Sequence, residues 1–193
     1  MELNSELWNK RYHNNDIAWD IGHISTPLKE YFDQIENKDL KILIPGCGNA
    51  YEAEYLIQLG FKNVFLIDWA QKALDEFQNR NPEFMSKHLI CGDFFEHKGA
   101  YDLIIEQTFF CAINPSLRED YILQIKNLLI EDGKLVGLLF NDKLYSNRPP
   151  FGGKKSDYLK LFSKHFQQVS MEKAYNSIAP RKGRELFIVI SNK

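Results

Sequence analysis

The segment Lys41-Ile42-Leu43-Ile44-Pro45-Gly46-Cys47-Gly48-Asn49-Ala50-Tyr51-Glu52 constrains this chain more than any other. A short apolar run breaks at a proline, crosses two glycines one residue apart and resumes with helix-forming residues. That is how a buried strand delivers the backbone to a tight turn ahead of a helix. Glycines there let the main chain approach a ligand closely, and the amides that open the next helix favour electron-rich groups. Gly46 and Gly48 are therefore candidate ligand-binding positions. A dinucleotide fingerprint would place a third glycine where this chain has Tyr51, so a pyrophosphate loses its usual accommodation. After a helix over 50–59 and a turn at Gly60, the run Val64-Phe65-Leu66-Ile67 ends in Asp68. A carboxylate at the tip of a second strand, about twenty residues on, can accept both hydroxyls of a ribose. Its plainer use would be to cap the helix that opens near Ala70.

From Lys41 onward, strands over 41–44, 64–68, 87–91, 101–106 and 134–140 alternate with helices over 50–59, 71–78, 117–130 and 157–165. Short links between such elements predict a doubly wound α/β sheet that is mainly parallel. The runs 167–174 and 185–191 have no helix between them and predict an antiparallel hairpin at one edge. Upstream, Leu7, Trp8, Arg11 and Tyr12 fall at helical spacing over 5–14. Trp19-Asp20-Ile21-Gly22 follows, and a second helix opens at Thr26-Pro27. The aromatic residues there either glue this segment to the domain or form a lid over a positively charged ligand. Composition alone favours glue.

At 193 residues and 44% hydrophobic content, the chain suits a single domain over 1–193. A net charge of -2 argues against an electrostatic grip on nucleic acid or an anionic membrane. Nowhere do about eighteen apolar residues run together, and the first residues are polar, so the expectation is a soluble cytoplasmic protein without a membrane partner. Cys47, Cys91 and Cys111 are an odd number without metal-ligand spacing, and the five histidines are scattered. Reduced thiols and no metal site are expected.

The ligand crevice of a doubly wound sheet lies beyond the carboxyl ends of its strands. Asp93 and Phe94, after the third strand, can accept from an adenine amino group and flank its ring. Fourth in line is Glu106-Gln107-Thr108-Phe109-Phe110-Cys111-Ala112-Ile113-Asn114-Pro115. Any one of Phe94, Phe109 and Phe110 alone reads as core; their shared placement on the crevice side points to function.

Together, Pro45-Gly46-Cys47-Gly48 with Glu52, Asp68, Gly92-Asp93-Phe94 and the Thr108 to Pro115 run with Arg118 resemble the thiopurine S-methyltransferase family. The likeness is nearest to its plant thiol and halide methyltransferase branch. Trp8-Asn9-Lys10-Arg11-Tyr12, Trp19-Asp20-Ile21-Gly22 and Ile178-Ala179-Pro180-Arg181-Lys182-Gly183-Arg184-Glu185 extend it over nearly the whole chain. The resemblance implies the class I methyltransferase fold, a Rossmann-like doubly wound seven-stranded sheet, mainly parallel with an antiparallel C-terminal strand. It implies an N-terminal helical lid over 1–36 on a core over 37–193. The implied cofactor is S-adenosylmethionine, leaving as S-adenosylhomocysteine. Trp8 and Trp19 would then lie against the cofactor, with Tyr12 replacing a frequent tryptophan, which overturns the glue reading.

Ile44 stands where most class I methyltransferases carry an acid, two residues before the first glycine, so Glu52 becomes the candidate partner of the cofactor's ammonium. Glu106 and Gln107 complete the cofactor set, although the family often has tyrosine or arginine at the position of Gln107. Phe109, Phe110, Phe151 and Arg181 are the candidate acceptor-binding residues, with Lys182 adding positive potential. Arg148-Pro149-Pro150-Phe151 precedes Gly152-Gly153 here, whereas related enzymes often show the glycines first. No histidine, lysine or paired carboxylate stands out as a base, and no catalytic residue is assigned. The expected activity is methyl transfer by a monomer to a small thiol, thiocyanate, halide or thiopurine-like acceptor. The alternatives are a cofactor-binding module without catalysis and a methyltransferase acting on oxygen or nitrogen of a small molecule. A dinucleotide-dependent oxidoreductase is disfavoured by Tyr51 and the terminal hairpin.

Overall fold

The inner strands of the sheet are apolar on both faces, as strands covered by helices on both sides must be. A computed structural model describes residues 3–192; Met1, Glu2 and Lys193, which the single-domain expectation included, lie outside the described residues. In chain order the elements are α1 (Ser5–His13), α2 (Thr26–Asp33), β1 (Lys41–Pro45), α3 (Tyr51–Gln58), β2 (Asn63–Asp68), α4 (Gln71–Arg80) and β3 (Leu89–Cys91). They continue with β4 (Tyr101–Gln107), α5 (Arg118–Leu128), β5 (Leu129–Phe140), α6 (Lys155–Phe162), β6 (Gln168–Lys173) and β7 (Glu185–Ser191). They build one seven-stranded sheet of order β3-β2-β1-β4-β5-β7-β6. The first five strands pair in parallel, and β7 runs antiparallel between β5 and β6. The hairpin expected at one edge is therefore present.

Period-two alternation sorts the core into two layers. Leu43, Ile104, Leu135 and Ile188 meet Tyr121, Ile125 and Phe162 on the face of α5 and α6. Ile42, Ile44, Leu66, Leu103, Ile105 and Val136 meet Leu28, Phe32, Leu56, Leu74 and Phe77 on the face of α2, α3 and α4. Leu28 and Phe32 are fully buried, which makes α2 a core helix and confines any lid to the residues before it. Over the rim, α1 lays Trp8 and Tyr12 against Ala70 and Ala73 at the start of α4. The Asn4 side chain caps α1 by accepting from Leu7 N at 3.0 Å.

Among the boundaries that differ from the sequence expectation, three have a visible backbone cause, while α6 is simply shifted to Lys155–Phe162. Ala50 adopts φ 54°, so α3 begins one residue later than expected. The third strand is entered through a short 3₁₀ turn, Ser86–His88. The expected helix over 117–130 gives way to strand at Leu129, which pairs with Tyr101 before a register shift brings Lys134 opposite Leu103.

Candidate active site

The strand order reverses between β1 and β4, and beyond their carboxyl ends lies a cavity of about 740 Å³. That is where an open α/β sheet takes its ligands. A recess of about 50 Å³ shares Trp19, Gly46, Thr108 and Arg181 with it.

At the end of β1 the chain turns through Gly46 at φ 56° and Gly48 at φ 53°, angles that favour glycine. Asp68 fastens this turn: Gly48 N donates to its Oδ2 at 2.9 Å and Ala70 N to its Oδ1 at 2.8 Å. Asp68 is not the cap of α4, which opens at Ala70 without a side-chain cap; its carboxylate closes an Asx-type turn two residues earlier and also lines the cavity. Burial pushes Asp68 above the usual carboxylate range, and the amides of Ala70 and Gly48 pull it back. Asp93 and Phe94 face the same cavity from the neighbouring strand end. Asp93 accepts from Phe95 N at 2.8 Å, and the Phe94 ring meets Phe109 edge-on at 5.2 Å. Trp69 adds a further aromatic wall. The sequence reading missed it, though its signal was plain: a large ring directly after the strand-tip acid.

The recess is lined by Asp20, Asn49, Glu52 and Gln107. Asn49 Nδ2 donates to Asp20 Oδ2, as does the Tyr51 hydroxyl at 3.2 Å. Glu52 is buried and accepts from Ser25 N at 3.3 Å. Its carboxyl is pushed up by burial, opposed by backbone donors including Ser25 N and by Arg181. Asn49 Oδ1 and Gln107 Oε1 are buried with no partner. Two carboxylates and two unsatisfied carbonyl oxygens outweigh the Arg181 guanidinium that also lines the recess, and suit a compact second cation. Asp20 belongs beside Glu52 in this set; its place directly after Trp19 was the available signal. The glycine turn, the acid at the tip of β2, the aromatic slot and the recess with its two carboxylates fit S-adenosylmethionine.

Trp8, Tyr12 and Trp19 roof the cavity. Trp19 meets Trp8 edge-on at 5.6 Å and Tyr12 at 5.9 Å, while the Arg11 guanidinium lies 4.4 Å above Trp19. Arg181 Nη2 donates to Trp19 O at 2.8 Å, and Nη1 donates to Glu185 Oε1 at 3.4 Å. The roof is thereby tied to the C-terminal hairpin.

On the far side, Thr108 at φ 60° swings the Phe109 ring against Gly46, where a Cβ would fall into the ring. Phe109 and Arg181 line the cavity, as expected. Three assignments are corrected. Glu106 lines neither cavity nor recess: its Oε1 accepts from Phe109 N at 2.8 Å and Phe110 N at 2.9 Å, and its Oε2 from the Tyr121 hydroxyl at 2.7 Å. Phe110 is buried among Tyr121, Tyr158 and Phe162, with Arg118 stacked 4.7 Å from its ring. Phe151 is also buried, its amide donating to Cys111 O at 2.7 Å, so Pro149 and Pro150 line the cavity in its place. Arg118 Nη2 holds this segment by donating to Gly152 O at 3.1 Å. Lys182 is exposed; Arg184, Lys143 and Arg148 supply the positive charge instead. Asp68 and Asp93 thus sit at the ends of β2 and β3, Lys143, Arg148, Arg181 and Arg184 on the β5 and β7 side, and Arg11 with its ion-pair partner Asp16 on the α1 side.

Comparison with known proteins places these features in a lineage. The chain is 27% identical over 192 residues to probable thiol methyltransferase 2 of Arabidopsis thaliana, covering 95% of this chain and 84% of that protein. It is 29% identical over 187 residues to thiocyanate methyltransferase 1 of Brassica oleracea, covering 92% and 81%. The fold matches that of 1,6-didemethyltoxoflavin-N1-methyltransferase from Burkholderia thailandensis with a TM-score of 0.74 at 16% identity, covering 96% of this chain and 84% of that one. Residues 3–191 match the thiopurine S-methyltransferase family, and the chain belongs to it.

Proposed function

We propose that this chain, an S-adenosylmethionine-dependent methyltransferase, delivers the methyl group to a small soft nucleophile that is already anionic: a thiolate, hydrosulfide, thiocyanate or halide. The observation that carries this reading is the division of the cavity. Asp68 and Asp93 stand on the nucleoside side, and Lys143, Arg148, Arg181 and Arg184 gather opposite them, Arg181 and Arg184 being partly balanced by Glu185 and Asp142. When bound, S-adenosylmethionine supplies a methyl group on a positively charged sulfur, open to in-line displacement.

The chain's own residues then have distinct tasks. Asp68 accepts from the ribose hydroxyls, Asp93 and Phe94 receive the adenine, and Asp20 and Glu52 face the ammonium. Trp8, Tyr12 and Trp19 exclude water, and Phe109 forms the wall along which the acceptor is aligned. No proton has to be removed from an anionic acceptor. The cavity lining agrees: its neighbouring histidine, His23, lies in the recess, and the Cys111 thiol donates to Thr108 O at 3.3 Å and is pushed up to about 12, chiefly by burial. The cations raise the local concentration of an anion without taking part in bond making. One chain forms all of these walls, in keeping with action as a monomer. Free Cys47, Cys91 and Cys111 suit a reducing, cytoplasmic setting. No helix among the described residues is long and apolar enough to cross a membrane.

The test is a panel of iodide, thiocyanate, hydrosulfide, aromatic thiols and thiopurines against a phenol and an amine, read by methylated product and S-adenosylhomocysteine together. Product with soft anions is expected. Product with the phenol or amine alone would replace the acceptor class.

A further inference from the structure

One heavily engaged carboxylate near the site lines neither the cavity nor the recess. Glu106 sits at the end of β4, fully buried, and its Oε1 accepts from two successive amides, Phe109 N at 2.8 Å and Phe110 N at 2.9 Å. Its Oε2 accepts from the Tyr121 hydroxyl of α5 at 2.7 Å. Space for this arrangement comes from Gly137 on β5, where a Cβ would collide with the Glu106 backbone and Cβ. The loop so gripped begins at Thr108, a residue with a side chain held at φ 60°, a conformation that needs outside support. Its two rings then go opposite ways, Phe109 against Gly46 in the cavity and Phe110 into the core.

From this geometry we infer that Glu106 is a positioning residue for methyl transfer, acting through the backbone of the Phe109 loop to set the distance between the acceptor wall and the glycine turn. Two bonds to adjacent amides fix both the place and the tilt of the loop, which one bond would leave free to pivot. Phe151 N donating to Cys111 O extends the same grip to the Pro149–Pro150 side of the cavity. The hydrogen-bond acceptor matters here, and the negative charge does not. A proton on Oε2 leaves Oε1 able to accept from both amides.

The inference rests on the methyltransferase reading, and the experiment separates the two: no cofactor binding by the unaltered chain sinks that reading, whereas the inference is judged on ratios between active variants. Cofactor Kd and the acceptor's kcat and KM are measured for Glu106→Leu, Glu106→Gln and Tyr121→Phe. Leucine has no acceptor atom, so acceptor kcat/KM should fall at least tenfold while cofactor Kd shifts by less than about threefold. Glutamine keeps one oxygen for the two amides and should recover most of that loss. If Glu106→Leu does not fold, Tyr121→Phe decides, with acceptor kcat/KM expected to fall several-fold at unchanged cofactor Kd. Unchanged acceptor kinetics, equal losses in cofactor and acceptor, or failure of glutamine to rescue would each overturn the assignment.

Discussion

The hydroxyl of Tyr12 lies directly over Gly48: a methyl group added at Gly48 would come within 2.5 Å of Tyr12 Oη. The roof of the cavity and the glycine turn are therefore in direct contact at this point. Gly48→Ala meets two penalties, the hydroxyl above it and a φ of 53°, the second worth about 1–2 kcal/mol. Cofactor affinity measured by calorimetry should fall at least tenfold in Gly48→Ala. Tyr12→Phe added to it should recover part of that loss, because the next Tyr12 atom is 3.8 Å away. Strictly additive losses would show that the two residues do not meet.

Asp68 fastens the glycine turn, and in the proposed function it also takes the ribose. Removing a half-buried carboxylate placed to accept two ribose hydroxyls costs about 1.5–3 kcal/mol, so Asp68→Ala should weaken cofactor binding tenfold or more. Asp68→Asn should lose less than alanine, since one oxygen remains for Gly48 N or Ala70 N. An unchanged Kd in a folded Asp68→Ala protein would remove Asp68 from the site. Glu52→Gln and Asp20→Asn should each weaken the cofactor and leave adenosine affinity almost untouched, if the recess holds the ammonium.

The tie from Arg181 to Trp19 O is the main link between the roof and the C-terminal hairpin. Arg181→Met should loosen residues 3–22, which limited proteolysis reads as faster cutting there, with cofactor protecting the parent chain more than the variant. Equal cutting rates with and without cofactor in the parent would show that this segment is not a cover.

Glu106 also marks the pH dependence of stability. Burial raises its carboxyl from 4.5 to about 7, against the pull of Phe110 N, the Tyr121 hydroxyl and Phe109 N. The folded chain therefore binds a proton here that the unfolded chain has released. This contribution to stability is complete below pH ~4.5 and is lost as pH rises to about 7, at most about 3 kcal/mol in all. Denaturation midpoints of Glu106→Gln should fall less steeply than those of the parent between pH 5 and 7. Parallel curves would contradict the assignment.

Much of this architecture could be read in advance because it is written in local pattern. Glycines at 46 and 48 and the acid at 68 report backbone geometry and strand length, and the stretch from 168 to 191, which holds no α-helix and one 3₁₀ turn at Ala179–Arg181, marks the antiparallel hairpin. Glu106 was misassigned for a reason of parity. It shares a face with Ile104, which packs with Tyr121, whereas Gln107, one residue on, lines the recess. The alternation was visible, but which face opened to the ligand depended on α5 covering the other. Phe110 and Phe151 went the same way, since Phe109 and Phe110 look alike until Tyr158 and Phe162 arrive from α6. The Arg181 tie spans 162 residues, and no local signal encodes a contact at that separation. The cation set was half legible: Arg181 follows from its motif, while Lys143 and Arg148 enter the cavity only through the path of the loop after β5.

The central claim is that the chain aligns a soft anion against a methyl donor and contributes no base. It is tested most directly by the pH dependence of kcat/KM for two acceptors under saturating S-adenosylmethionine. With thiocyanate the profile should be flat between about pH 6 and 9, and with a simple thiol it should climb in step with that thiol's own ionisation. A thiocyanate profile with a limb near neutrality, or a thiol profile that ignores the thiol's ionisation, would mean that a group of the protein manages the proton, and would contradict the account.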